Sequence, residues 1–120
     1  MSVPIGPYSP TARAGDLLVC SGQIGVRGGP EGPALVPGGF AAQARQALEN
    51  VTGLLGSQGL GWEHVVKTTA YLADIADFGA FNEIYVSTLG PHRPARSVVA
   101  VSGLPMGALV EIEVWAYAAP

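Results

Sequence analysis

Phe40-Ala41-Ala42-Gln43-Ala44-Arg45-Gln46-Ala47-Leu48-Glu49-Asn50-Val51-Thr52-Gly53-Leu54-Leu55 gives way, after a short glycine-containing break, to His64-Val65-Val66-Lys67-Thr68-Thr69-Ala70-Tyr71-Leu72. In the first stretch Phe40, Ala44, Ala47, Leu48, Val51, Leu54 and Leu55 fall on one helical face. Gln43, Gln46, Glu49, Asn50 and Ser57 fall on the other, so the stretch predicts an amphipathic helix. Gly53 and Gly56 weaken it by about 1 kcal/mol each relative to Ala, and Gly59 or Gly61 ends it. The second stretch is rich in β-branched residues and predicts a strand.

Upstream, Leu17-Leu18-Val19-Cys20-Ser21-Gly22-Gln23-Ile24 has the length and composition of a strand. It follows the Ala14-Gly15-Asp16 turn and should pair with residues 10–14 as a hairpin. Strand, helix and strand in succession predict a right-handed βαβ unit. The segment 27–39 is dense in Gly and Pro, which excludes helix and marks a surface loop with a brief strand at Ala34-Leu35-Val36. Pro4, Gly6, Pro7 and Pro10 make residues 3–10 a stiff, irregular lead-in that carries Tyr8.

Downstream, Asp74 or Asp77 can cap a second helix with inner face Phe78, Phe81, Tyr85 and Leu89, stopped by Gly90-Pro91. Two strands follow, within His92–Val101 and from Leu109 onward, joined by Gly103-Leu104-Pro105-Met106-Gly107. The order predicts an α+β fold: two layers, a mixed β-sheet with two helices on one face, in a single domain spanning 1–120. Two helices cannot cover both faces of a sheet. The uncovered face is expected to pack against neighbouring subunits, in keeping with a chain that is 48% hydrophobic and only 12% charged.

The same composition narrows function. Nine acids against six bases, with no basic run, argue against a nucleic-acid partner. One cysteine excludes an intrachain disulfide, and two distant histidines, His64 and His92, offer no metal cluster. Neither a signal-peptide pattern nor an apolar run of roughly 18 residues is present, so a cytoplasmic location without membrane association is expected.

The two C-terminal strands carry charge in apolar surroundings. Arg96 shares a strand face with Val98 and Ala100, while Glu111 and Glu113 share one with Leu109, Trp115 and Tyr117. Charges taken out of water need a partner or a ligand, so these three either pair with one another or face a substrate. Guanidinium suits a carboxylate ligand, because its planar fork donates two parallel hydrogen bonds. A carboxylate can hold and deprotonate water.

Gly6-Pro7-Tyr8-Ser9, Val19-Cys20-Ser21-Gly22-Gln23-Ile24, Glu49-Asn50-Val51, Val66-Lys67-Thr68-Thr69, Phe81-Asn82-Glu83-Ile84-Tyr85, Pro94-Ala95-Arg96-Ser97 and Val110-Glu111-Ile112-Glu113 resemble, in order and spacing, the Rid family of YjgF-type enamine/imine deaminases. The resemblance implies a chorismate-mutase-like (ferredoxin-like) fold assembled as a homotrimer with sites between subunits. It also implies cofactor-independent hydrolysis of 2-aminoacrylate-type enamines and imines to 2-keto acids and ammonia. By that resemblance Arg96 binds the substrate carboxylate and Glu111 positions water. Tyr8 closes over the substrate, Ser21 and Asn82 match further pocket residues, and Gly22 admits close backbone approach. Val98 stands where several members carry Cys, so it offers only backbone or apolar contact.

Plainer roles compete. Arg96 can pair with Glu111 or Glu113, Tyr8 can be an exposed edge aromatic, Ser21 and Asn82 can satisfy local backbone groups, and Gly22 can mark a bulge. A trimeric module that binds a 2-keto acid without turnover is the alternative function.

Overall fold

The computed structural model describes residues 6–118, so the start of the lead-in, including Pro4, lies outside the described residues. Its strands are β1 (Thr11–Ala14), β2 (Leu17–Ile24), β3 (Val26–Arg27), β4 (Ala34–Leu35), β5 (Val65–Leu72), β6 (Ala95–Ala100) and β7 (Val110–Tyr117). Its helices are α1 (Gly39–Ser57) and α2 (Phe78–Leu89). β3 and β4 form a small ribbon in the Gly/Pro-rich loop, and the other five strands form one sheet in the order β1-β2-β7-β5-β6. β6 runs parallel to β5, and the remaining neighbours are antiparallel. The fold is therefore α+β on a mixed sheet.

The β2–α1–β5 crossover is split: β2 and β5 both run antiparallel to β7, and so parallel to each other, but β7 inserts between them and bonds to both. The physical reason lies in β7 itself: Val110, Ile112, Val114 and Ala116 are all fully buried, which suits a central strand. Only β5–α2–β6 joins neighbouring parallel strands.

The helix boundaries follow local chemistry. α1 ends in a Schellman motif: Gly59, at φ +74°, donates to the Gly56 carbonyl, and Leu60 donates to that of Leu55. Asp74 accepts the Ala76 N–H at 2.9 Å and opens a 3-10 turn that runs into α2. The α1 residues Ala47, Leu48, Val51 and Leu55 share one buried cluster with Leu18 and Cys20 of β2 and Ile112 and Val114 of β7. α2 adds Phe81, Ile84, Tyr85 and Leu89. Phe78, expected inside, is instead 40% exposed, and Ile84 takes a buried place.

The polar side of α1 is less solvated than its pattern implies. Gln43 is buried, and its Oε1 accepts the N–H of Leu109 at 2.9 Å. Asn50 donates to the carbonyls of Ile24 and Val26 at 3.2 and 2.9 Å, clamping the bend between β2 and β3. Gly25, in that bend, passes so close that a Cβ there would lie 2.5 Å from the Gln43 carbonyl oxygen. Among the described residues, no helix is long and apolar enough to cross a membrane.

Leu48 is 1% exposed at the centre of this cluster. Leu48→Ala should cost about 2–5 kcal/mol, through lost transfer energy and the cavity left behind. Urea denaturation should report it as a lower midpoint with an unchanged slope.

Candidate functional site

Alternation along β7 sends Val110, Ile112 and Val114 toward the helices and turns Glu111, Glu113, Trp115 and Tyr117 to the open face. On the neighbouring β2, pairing with β7 is irregular between Cys20 and Gln23, and Gly22 sits in that bulge. A Cβ on Gly22 would come within 2.8 Å of Cδ and Oε2 of Glu111. The missing side chain lets the carboxyl group lie against the β2 backbone.

Ser21 ties the lead-in to this place: its Oγ donates to the Ser9 carbonyl at 2.7 Å, and its N–H donates to that of Pro10 at 2.9 Å. Tyr8 is thereby held over the same open face. Tyr8, Ser21, Gly22, Glu111, Glu113 and Pro105 are among the residues lining a cavity of about 540 Å³.

Burial, and then the charge of Glu113, push the Glu111 carboxyl above the usual carboxylate range. Glu113 accepts a hydrogen bond from the Tyr71 hydroxyl, not from Arg96. That bond, with burial and the two carboxylates, pushes Tyr71 up to about 12, so the phenol stays protonated. Tyr71 was not singled out from sequence. The alternation of Thr69 and Tyr71 on β5, with Tyr71 opposite Glu111 in register, is the signal that reveals it.

Arg96 lies elsewhere. Its register partner on β5 is Thr68, which is fully buried, so Arg96 emerges on the helix side of the edge strand β6. Its guanidinium carbon sits 4.9 Å from the Tyr85 ring centroid and 5.7 Å from that of Phe78. Such stacking orients a cation without neutralising it. The Tyr85 hydroxyl is fixed in turn by Thr68 Oγ1 at 2.8 Å.

Arg96 and Asn82 line a cavity of about 340 Å³ with Tyr85, Val86, Arg93 and Pro94. Asn82 Oδ1 is buried with no hydrogen-bond partner among the described residues. Val98 shares Arg96's face but packs on the rim of the core and lines neither cavity. Tyr8, Ser21, Gly22 and Glu111 thus come together on one face, and Arg96 with Asn82 on the other. Within one chain the Arg96–glutamate ion pair does not form. Among the described residues, no cluster of metal-ligating side chains occurs.

A raised carboxyl pKa has a stability consequence. Ionising Glu111 is harder in the folded chain than in the unfolded one, so its contribution favours folding below the unfolded pKa and is lost as pH rises through the folded value. Glu111→Gln should therefore raise the thermal midpoint at neutral pH, and the gain should shrink on acidification. A thermal denaturation series across pH tests this.

The fold and these two of its cavities define a one-domain α+β protein with a carboxylate pocket on the sheet and an arginine pocket at the helix edge. Residues 2–118 match the family model described as endoribonuclease L-PSP. The chain is 43% identical over 116 residues to the 2-iminobutanoate/2-iminopropanoate deaminase of Mus musculus, covering 97% of this chain and 84% of the relative. It is likewise 43% identical over 114 residues to a RutC family protein of Pyrococcus horikoshii, with coverage of 95% and 89%. Among solved structures, a putative endoribonuclease from Thermotoga maritima superposes with a TM-score of 0.91 at 37% identity, covering 99% of this chain and 92% of that one. RidA from an Antarctic Psychrobacter does so with 0.89 at 38% identity, covering 97% and 92%. The chain belongs to the Rid (YjgF/RidA) family.

Proposed function

We propose that this protein hydrolyses 2-aminoacrylate-type enamines and 2-imino acids to 2-keto acids and ammonia, in sites formed between copies of a homotrimer. One observation carries the reading. The anion-binding Arg96 and the water-holding Glu111 stand on opposite faces of one sheet, each in its own open cavity. A second copy, docking its helix edge onto the open sheet face, would complete both. Relatives carrying the deaminase name supply the substrate class.

In this reading Arg96 takes the substrate carboxylate with two parallel hydrogen bonds, while its stacked rings keep the fork in place. Ionised Glu111 accepts a proton from water as the water oxygen bonds to the imine carbon, and the C=N electron pair moves to nitrogen. Glu111 passes that proton to the nitrogen, then takes the proton of the adduct hydroxyl and delivers it to the amine as the C–N bond breaks, giving keto acid and ammonia with Glu111 ionised again. Burial favours Glu111 as a base by raising its proton affinity. The chain itself supplies every group in this scheme, and in the cell it would work in the cytoplasm beside the dehydratases that release such imines.

The test couples purified protein to a threonine dehydratase and follows 2-oxobutanoate release while semicarbazide competes for the imine. Faster release is expected. No acceleration, together with keto-acid-dependent thermal stabilisation, would make the protein a binding module instead.

A further inference from the structure

The arginine cavity holds one more cation than a single carboxylate needs. Its lining residues include Arg93 and Arg96, the polar Asn82 and Tyr85, and no Asp or Glu. Two positive charges therefore meet in a small concavity of a chain whose formal net charge is −3. Concave walls concentrate such a field on whatever enters.

Arg93 is held, not loose. Residues three apart on a regular strand face opposite ways, but Arg93 precedes β6 and Pro94 intervenes, so both arginines reach the same cavity. Its Nη1 donates to the carbonyls of Gly90 and His92 at the C-terminal end of α2. Among the described residues these are its only polar partners, leaving its other N–H donors for a ligand. Among the described residues, no carboxylate forms an ion pair with either guanidinium. Asn82 Oδ1, buried without a partner in the same wall, would gain from a ligand N–H.

We propose that Arg93 forms a second anion subsite beside Arg96, and that the protein takes 2-imino acids whose side chain carries a carboxylate. This rests on the deaminase reading and narrows its substrate class. Arg96 holds the carboxylate next to the imine carbon, and Arg93 meets the distal one. A monocarboxylic imine leaves Arg93 hydrated and gains nothing from it. Because Arg93 is exposed, the added charge-assisted contact is screened, and a preference of about tenfold is expected.

Calorimetric titration of the full-length protein with 2-oxoglutarate and with 2-oxobutanoate measures that preference without turnover. The dicarboxylate should bind about tenfold more tightly, and added salt should narrow the gap. Arg93→Gln removes the charge while keeping an amide donor near the Gly90 carbonyl, and should bring the ratio of the two affinities to about one. Arg93→Lys, which keeps the charge, should preserve most of the ratio. Equal affinities in the unaltered protein, a ratio that survives Arg93→Gln, or failure of both keto acids to bind would overturn the proposal. Tighter binding of inorganic phosphate than of either keto acid would overturn it too, marking a phosphate site instead. Absence of dehydratase-coupled acceleration with the preference intact would count against the deaminase reading alone.

Discussion

Arg96→Ala is expected to abolish the acceleration of 2-oxobutanoate release and to weaken keto-acid binding by about 10²–10³-fold. The Arg96 guanidinium presents a planar fork held by stacking on two rings, and those rings have no other charged partner among the described residues. Arg96→Lys restores the charge without the fork or the stacking, so only part of the binding should return. Because Arg96 is partly exposed on an edge strand, the fold should survive both changes. Initial-rate kinetics and calorimetry on the same preparations check this. An Arg96→Ala variant that accelerates release as well as the parent would remove Arg96 from the site.

Gly25→Ala should be the most damaging Gly→Ala change among the described residues, lowering stability by about 3 kcal/mol, at the upper end for overpacking. The added carbon would lie 2.5 Å from the carbonyl oxygen and 2.6 Å from the Cα of Gln43. Both are backbone atoms inside α1, so no rotamer change can relieve the contact. The helix must lift from β2, straining the Gln43 bond to Leu109 and the Asn50 clamp on the β2–β3 bend. Urea denaturation measures it, and an unchanged midpoint would show that the helix yields freely there. Gly53, with open space around its would-be Cβ, is the control for a helix glycine that tolerates Ala.

Hydrophobic period with stop signals made the two helices legible, while turn residues and apolar composition marked the first hairpin and the two C-terminal strands. Strand order was not, since β7 reaches the centre of the sheet through contacts distant in sequence, and no local pattern says which strands it parts. Gln43 reads as solvated by residue type, yet the partner that buries it, the Leu109 N–H, lies far along the chain.

At the candidate site, the residues themselves stood out as charges on apolar strands, and the resemblance supplied their roles. That Arg96 and Glu111 face opposite ways depends on β6 joining the sheet in parallel register with Thr68 beside Arg96. The Tyr71 bond to Glu113 and the aromatic bed of Arg96 likewise arise only once separate strands and helices are side by side.

The two-faced sheet has a genetic consequence. If each complete site borrows its arginine from one copy and its glutamate from the next, Arg96→Ala and Glu111→Gln are lesions in different halves of a shared machine. Two preparations that are each inert, unfolded and refolded together in equal amounts, should regain activity in roughly a quarter of their sites, where an intact arginine edge meets an intact glutamate face. A chain carrying both lesions should rescue neither partner beyond what the single lesions allow.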